Sequence, residues 1–155
     1  MSLSESITAV LNGSVDSVHS IMPFELTIEK PSILHEPQNN SELAVLIGMT
    51  GDVTGKLMIE GSNSSFGYVG EKMYGMPLEG EMLFSFTGEL ANMIAGHLAT
   101  SVSERSLSLD ITPPTVIEGN AEIHGFKRGF QVPVNLQENH TLHLVLMIEE
   151  KQMKA

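Results

Sequence analysis

Apolar side chains recur with a helical period along two long stretches of this chain and with a strand period along several shorter ones. In the stretch from Phe84 to Ser103, at roughly 100° per residue, Phe86, Leu90, Met93, Ile94, His97, Leu98 and Ser101 fill one arc that should face a core. Ser85, Glu89, Asn92 and Gly96 gather on the far side as a narrow polar stripe. The helix itself is expected to begin near Glu81. Leu3 to Ile21 carries a similar apolar period, with Ser2 or Ser4 available as N-cap and Met22-Pro23 as its stop. A shorter helix is expected from Ser62-Asn63-Ser64 through Met73, burying Phe66, Val69 and Met73 and ending at Gly75-Met76-Pro77.

The remaining segments alternate as half-buried strands do. They are Phe24 to Ile28, Ser32 to Leu34, Leu43 to Met49, Val53 to Ile59, Leu107 to Ile111, Thr115 to Glu118, Ala121 to His124, Phe130 to Asn135 and His140 to Glu149. Thr50-Gly51-Asp52 and Gln137-Glu138-Asn139 read as hairpin turns, and His35 to Ser41 as a polar loop. Adjacent helices between groups of strands predict helices layered on a mostly antiparallel sheet, an α/β fold of the α+β type.

The pattern also repeats. Met1 to Leu34 overlays Phe84 to Ile117 without a gap, pairing Leu3 with Phe86, Ile7 with Leu90, Val10 with Met93, Leu11 with Ile94 and Val15 with Leu98. A strand, a proline (Pro31 or Pro114) and a second strand follow in both copies, and Leu-Met-Ile-Glu occurs at Leu57 to Glu60 and again at Leu146 to Glu149. The expectation is a single duplicated domain over 1–155, with pseudo-repeats at about 1–61 and 84–149 linked by the helix at about 62–75. The copies differ where Ser6 overlays Glu89 and Ala9 overlays Asn92. If both helices do the same structural job, folding does not require the acid and the amide.

A carboxylate and a carboxamide on an exposed face ordinarily do no more than solvate a helix. Asn, however, is a poor interior helix former, and Gly costs about 1 kcal/mol relative to Ala. Two such penalties on one stripe point to a site, because local rules are broken where function demands it.

Composition narrows the partners. Nineteen acidic against eight basic side chains give a formal charge of -11, which repels nucleic acid and anionic membrane, and no basic cluster exceeds Lys127-Arg128. At 155 residues without cysteine, the chain can bury a core with no disulfide or thiolate metal site. The start shows no signal-peptide pattern, no apolar run approaches a membrane span, and the lack of cysteine suits a reducing cytoplasm. The ten methionines mostly sit in apolar runs, as core filler would.

Other chemistry is weakly signalled. GDVTGK at Gly51 to Lys56 has the wrong glycine spacing for a phosphate loop and Leu57 where a hydroxyl is needed, so Lys56 is expected to face solvent from a strand. His140 and His143 fall on opposite faces of a strand, His97 lies on the apolar arc as a hydrogen-bonded core histidine, and no zinc-type spacing occurs.

Ser85, Glu89-x-x-Asn92 and the distant Pro113-Pro114-Thr115-Val116 together resemble the CheC/CheX family of chemotaxis phosphatases. With the Glu/Asn pair in the second half alone, the chain resembles the CheX type. The resemblance implies hydrolysis of the aspartyl-phosphate of a CheY-like response regulator. Asn92 would orient the attacking water, Glu89 would dock to the regulator's active-site lysine, and Ser85 and Gly96 would let the surfaces close. It also implies a homodimer with a continuous sheet, no cofactor on this chain and Mg on the partner receiver domain. Two other readings stay open: a non-catalytic module that docks a receiver or assembles a signalling complex, and a small-molecule or metal-dependent enzyme marked by an ion at His97 or His143.

Overall fold

The structure, a computed structural model, describes residues 2–34, 38–39, 41–123 and 126–149. Three helices, α1 (Leu3–Ile21), α2 (Asn63–Tyr74) and α3 (Glu81–Ser103), lie among ten strands. These are β1 (Leu26–Ile28), β2 (Ser32–Leu34), β3 (Gln38–Asn39), β4 (Leu43–Gly51), β5 (Gly55–Gly61), β6 (Leu109–Ile111), β7 (Thr115–Glu118), β8 (Ala121–Glu122), β9 (Phe126–Leu136) and β10 (Thr141–Glu149).

Local chemistry sets the helix ends. The Ser2 hydroxyl accepts the Glu5 amide at 3.1 Å while the Glu5 carboxylate accepts the Ser2 amide at 3.2 Å, a capping box that satisfies otherwise orphaned donors. Ser62 caps α2, and Gly75 ends it in the left-handed conformation (φ 75°) that an L side chain rarely adopts. In the turn before β10, Glu138 and Asn139 both have positive φ (60° and 63°), the geometry that matches the twist of a tight hairpin.

All strand pairs are antiparallel, and the main sheet runs β1-β9-β10-β5-β4-β6, with β2 on β9 and β7 on β4. β3 and β8 form a separate two-stranded sheet. Exchange of the strands of one half for those of the other turns this order into its own reverse. The Leu-Met-Ile-Glu tetrapeptides cross antiparallel at the centre, where Leu57 stands opposite Leu146.

Leu57, Ile59, Leu144 and Leu146 project from one face of the sheet into a core completed by Val10, Phe66, Leu90, Ile94 and Leu98 of the helices. Burial of that apolar area, at about 25 cal/mol per Å², is what fixes the helices to the sheet. The opposite face buries Ala44, Met58, Val145 and Met147 beneath Leu34, Leu46, Ile123 and Phe126.

Several strand limits depart from the pattern. Phe24 lies outside β1 and packs edge-on against Tyr68, ring centroids 6.2 Å apart. Thr50 and Gly51 stay in β4 because Asp110 and Leu109 of β6 pair with them, which pushes the turn to Asp52–Thr54. β9 begins at Phe126 rather than Phe130, since β10 pairs with it along its whole length. The loop expected at His35 to Ser41 contains β3, while His35, Glu36, Pro37, Asn40, His124 and the tail from Glu150 lie outside the described residues.

Candidate functional site

The polar stripe on α3 is at the surface. Ser85, Glu89 and Asn92 are exposed and Gly96 is half-buried, whereas Leu90, Ile94 and Leu98 on the other side are buried. A Cβ built on Gly96 would meet nothing within 4 Å, so open space lies above that turn. Pro114 borders the stripe: a Cβ on Gly88, the residue before Glu89, would lie 3.7 Å from Pro114 Cγ and 3.5 Å from Val116 Cγ2. The proline in the Pro113-Pro114 stretch thus flanks the helix turn that carries Glu89.

The corresponding stripe of α1 is not at the surface. Ser6 and Ala9 are buried, and Gly13 is pressed against α3, where a Cβ would stand 2.9 Å from Leu98 Cδ1 and 3.2 Å from Val102 Cγ1. The first helix therefore turns its small residues toward α3, while the second turns its acid and amide outward. The expectation that both helices do the same job fails for this stripe, because close helix packing recruits small side chains. It is the exposure of Glu89 and Asn92, not the comparison with Ser6 and Ala9, that marks the face.

Next to the stripe lies an open groove of about 700 Å³, lined by Tyr74, Met76, Glu81, Met82, Ser85 and Glu89, with Leu78 and Phe86 at its base. Tyr74, Met76 and Met82 are 55%, 48% and 53% exposed. Of the methionines expected in the core, Met22, Met49, Met58 and Met147 are buried, Met73 and Met93 are half-buried, and Met76 and Met82 are exposed. No periodic signal announced this groove, because its wall joins the end of α2, a turn and the start of α3.

The histidines have separate surroundings. His97 Nδ1 is 2.8 Å from the Ser17 hydroxyl, tying α3 to α1. His140 stacks on Tyr68 at 4.9 Å and approaches the Ser65 hydroxyl at 3.3 Å. His143 stands opposite Glu60, and burial holds its pKa below the usual histidine range. Burial likewise pushes the Glu60 carboxyl above the usual carboxylate range, although Ser41 hydrogen-bonds to it. No cluster of three or more acidic or histidine side chains that could hold a metal ion occurs among the described residues. The GDVTGK segment crosses from β4 into β5 with Lys56 exposed on the strand, so no phosphate cradle forms there.

Helices over one face of this antiparallel sheet form a CheC-like fold. A CheC-like superfamily protein from Shewanella sp. PV-4 matches with a TM-score of 0.75 at 23% identity, over 92% of this chain and 96% of that one. CheX in a CheX–CheY–BeF3–Mg complex from Borrelia burgdorferi matches with a TM-score of 0.75 at 22% identity, over 93% and 97%. More specifically, residues 43–151 match the model of the chemotaxis phosphatase CheX family, and the chain belongs to that family. It is 30% identical over 144 residues to the CheY-P phosphatase CheX of Thermotoga maritima, covering 89% of this chain and 93% of that protein. No helix among the described residues is long and apolar enough to cross a membrane.

Proposed function

We propose that this protein is a phosphatase that hydrolyses the aspartyl-phosphate of a CheY-like response regulator, with the exposed α3 stripe as its working face. The observation that carries the reading is the outward presentation of Glu89 and Asn92, one turn apart, in a chain of the CheX family. Phosphoryl hydrolysis of this kind depends on positioning and charge neutralisation more than on covalent chemistry. Mg on the receiver domain would neutralise phosphoryl charge, so this chain needs no metal of its own. The Asn92 carboxamide can donate and accept hydrogen bonds, and so can hold a water in line with the scissile P–O bond without bringing charge into an anionic pocket. Glu89 pairs with the receiver's lysine and thereby fixes the depth at which Asn92 enters. Ser85 and Gly96 leave the stripe low enough for contact, consistent with the open space above Gly96.

The symmetric strand order supports a duplicated domain spanning 1–155, with pseudo-repeats at about 1–61 and 84–149. We infer one working site per chain, since Ser6 and Ala9 in the first half are buried and carry neither acid nor amide. The short outer strands β1 and β6 leave sheet edges through which a homodimer could continue the sheet. A phosphorylated regulator as substrate would place the protein in the cytoplasm. The test is the rate of phosphate loss from a panel of phosphorylated receiver domains with and without the protein. Acceleration for at least one receiver is expected; binding without any change in phosphate lifetime would instead identify a docking module.

A further inference from the structure

Beside Glu89 the surface runs without a break into the groove formed by the end of α2, the connection after it and the first turns of α3. Three of the four large hydrophobic side chains that stand exposed among the described residues, Tyr74, Met76 and Met82, are gathered there; the fourth, Ile33, lies on β2. Tyr74 is held edge-on by Phe86 at 5.5 Å, so the apolar wall has a rigid part, while the two methionines can adapt to whatever they meet. The charged side chains lining the groove are Glu81 and Glu89, with no lysine or arginine among them.

A concave apolar floor with a carboxylate rim suits a protein element that presents apolar side chains flanked by lysine or arginine, and it disfavours anionic ligands. Ser85 and Glu89 line both the groove and the catalytic stripe. A body seated in the groove is therefore also in contact with the face that carries Asn92.

We propose that the groove lined by Tyr74, Met76 and Met82 is a second docking element for the receiver domain, taking an apolar, cation-flanked segment beside its phosphorylation pocket and setting which receivers are substrates. This rests on the receiver-phosphatase reading of the α3 stripe. In this arrangement the groove supplies affinity and selection, and Asn92 supplies the chemical step.

The test compares wild type with Met76→Gln, Met82→Gln and the double variant in two measurements. Both side chains are exposed, so the variants should fold, which a melting curve verifies. In turnover of a phosphorylated receiver, the double variant should raise KM about tenfold while kcat stays within about twofold. Titration with a beryllofluoride-loaded receiver should show the same weakening without requiring catalysis. Unchanged KM and unchanged binding in the double variant would overturn the groove assignment while leaving the phosphatase reading intact. Conversion from dimer to monomer on substitution would also overturn it, by making the groove a contact between copies. If the wild type binds the loaded receiver but does not speed phosphate loss, the catalytic reading fails; weaker binding by the double variant would still uphold the groove.

Discussion

The Ser17 hydroxyl lies 2.8 Å from Nδ1 of His97, joining α1 to α3. Ser17 is also 2.7 Å from the Gly13 carbonyl, which can only accept, so its single proton goes there and Nδ1–H of His97 is the donor across the helix pair. His97 is thus a structural group on the inner side of the helix, one residue from the open Gly96. It helps fix the rotation of α3 that keeps Glu89 and Asn92 outside.

Loss of this link should therefore affect stability more than chemistry. Ser17→Ala should lower unfolding free energy by about 1 kcal/mol, and His97→Ala by more because ring packing is lost as well. Urea denaturation measures the first effect, and kcat per folded molecule should remain near the wild-type value.

Gly96 and Gly13 should respond in opposite ways to added volume. Gly96→Ala places its Cβ in open space and gains helix propensity, so stability should rise by up to about 1 kcal/mol. Gly96→Phe should still fold yet raise KM for the phosphorylated receiver by obstructing contact. Gly13→Ala meets Leu98 and Val102 and should cost about 1 kcal/mol or more. Thermal melts and steady-state kinetics on the three variants separate these effects.

Glu60 and His143, opposite each other on β5 and β10, should govern part of the pH dependence of stability. Burial raises the Glu60 pKa above the ordinary 4.5, so the folded state binds its proton more tightly and loses stability as pH rises through that value. Glu60→Gln should raise Tm at pH 7, with the gain shrinking below about pH 4.5. Burial lowers the His143 pKa below the ordinary 6.5, although Glu29 pulls the other way. The unfolded chain then takes up the proton first, and stability falls as pH drops through 6.5. His143→Gln should reduce that fall, measured as Tm against pH.

Much of this is legible in the amino-acid sequence. The helical period in Phe84 to Ser103 separates buried Phe86, Leu90, Ile94 and Leu98 from exposed Ser85, Glu89 and Asn92. Met93, His97 and Ser101 of the expected arc and Gly96 of the stripe are half-buried, however, and the buried face extends to Thr87, Gly88, Ala91 and Ala95, small residues that periodicity does not single out. The sheet order β1-β9-β10-β5-β4-β6 is symmetric under exchange of its halves, a feature of topology that no local pattern states. What the sequence did not disclose depends on contacts between distant segments. The burial of Ser6, Ala9 and Gly13 is set by how closely α1 approaches α3. Gly75-Met76-Pro77 read as a stop signal, and its role as a wall of the groove appears once Tyr74 and Met82 are brought beside it. β3 carries too few residues for alternation to register, and its pairing with β8, part of the strand expected at Ala121 to His124, decides it.

The most direct measurement is single-turnover phosphate loss from a phosphorylated receiver with Asn92→Ala at saturating protein. Its side chain is exposed and makes no part of the core, so the variant should keep the wild-type Tm and bind the receiver. The stimulated rate should fall at least about a hundredfold, in line with removal of a group that positions the reacting water. A rate equal to wild type, with binding intact, would contradict the assignment of Asn92 and with it the proposed working face of α3.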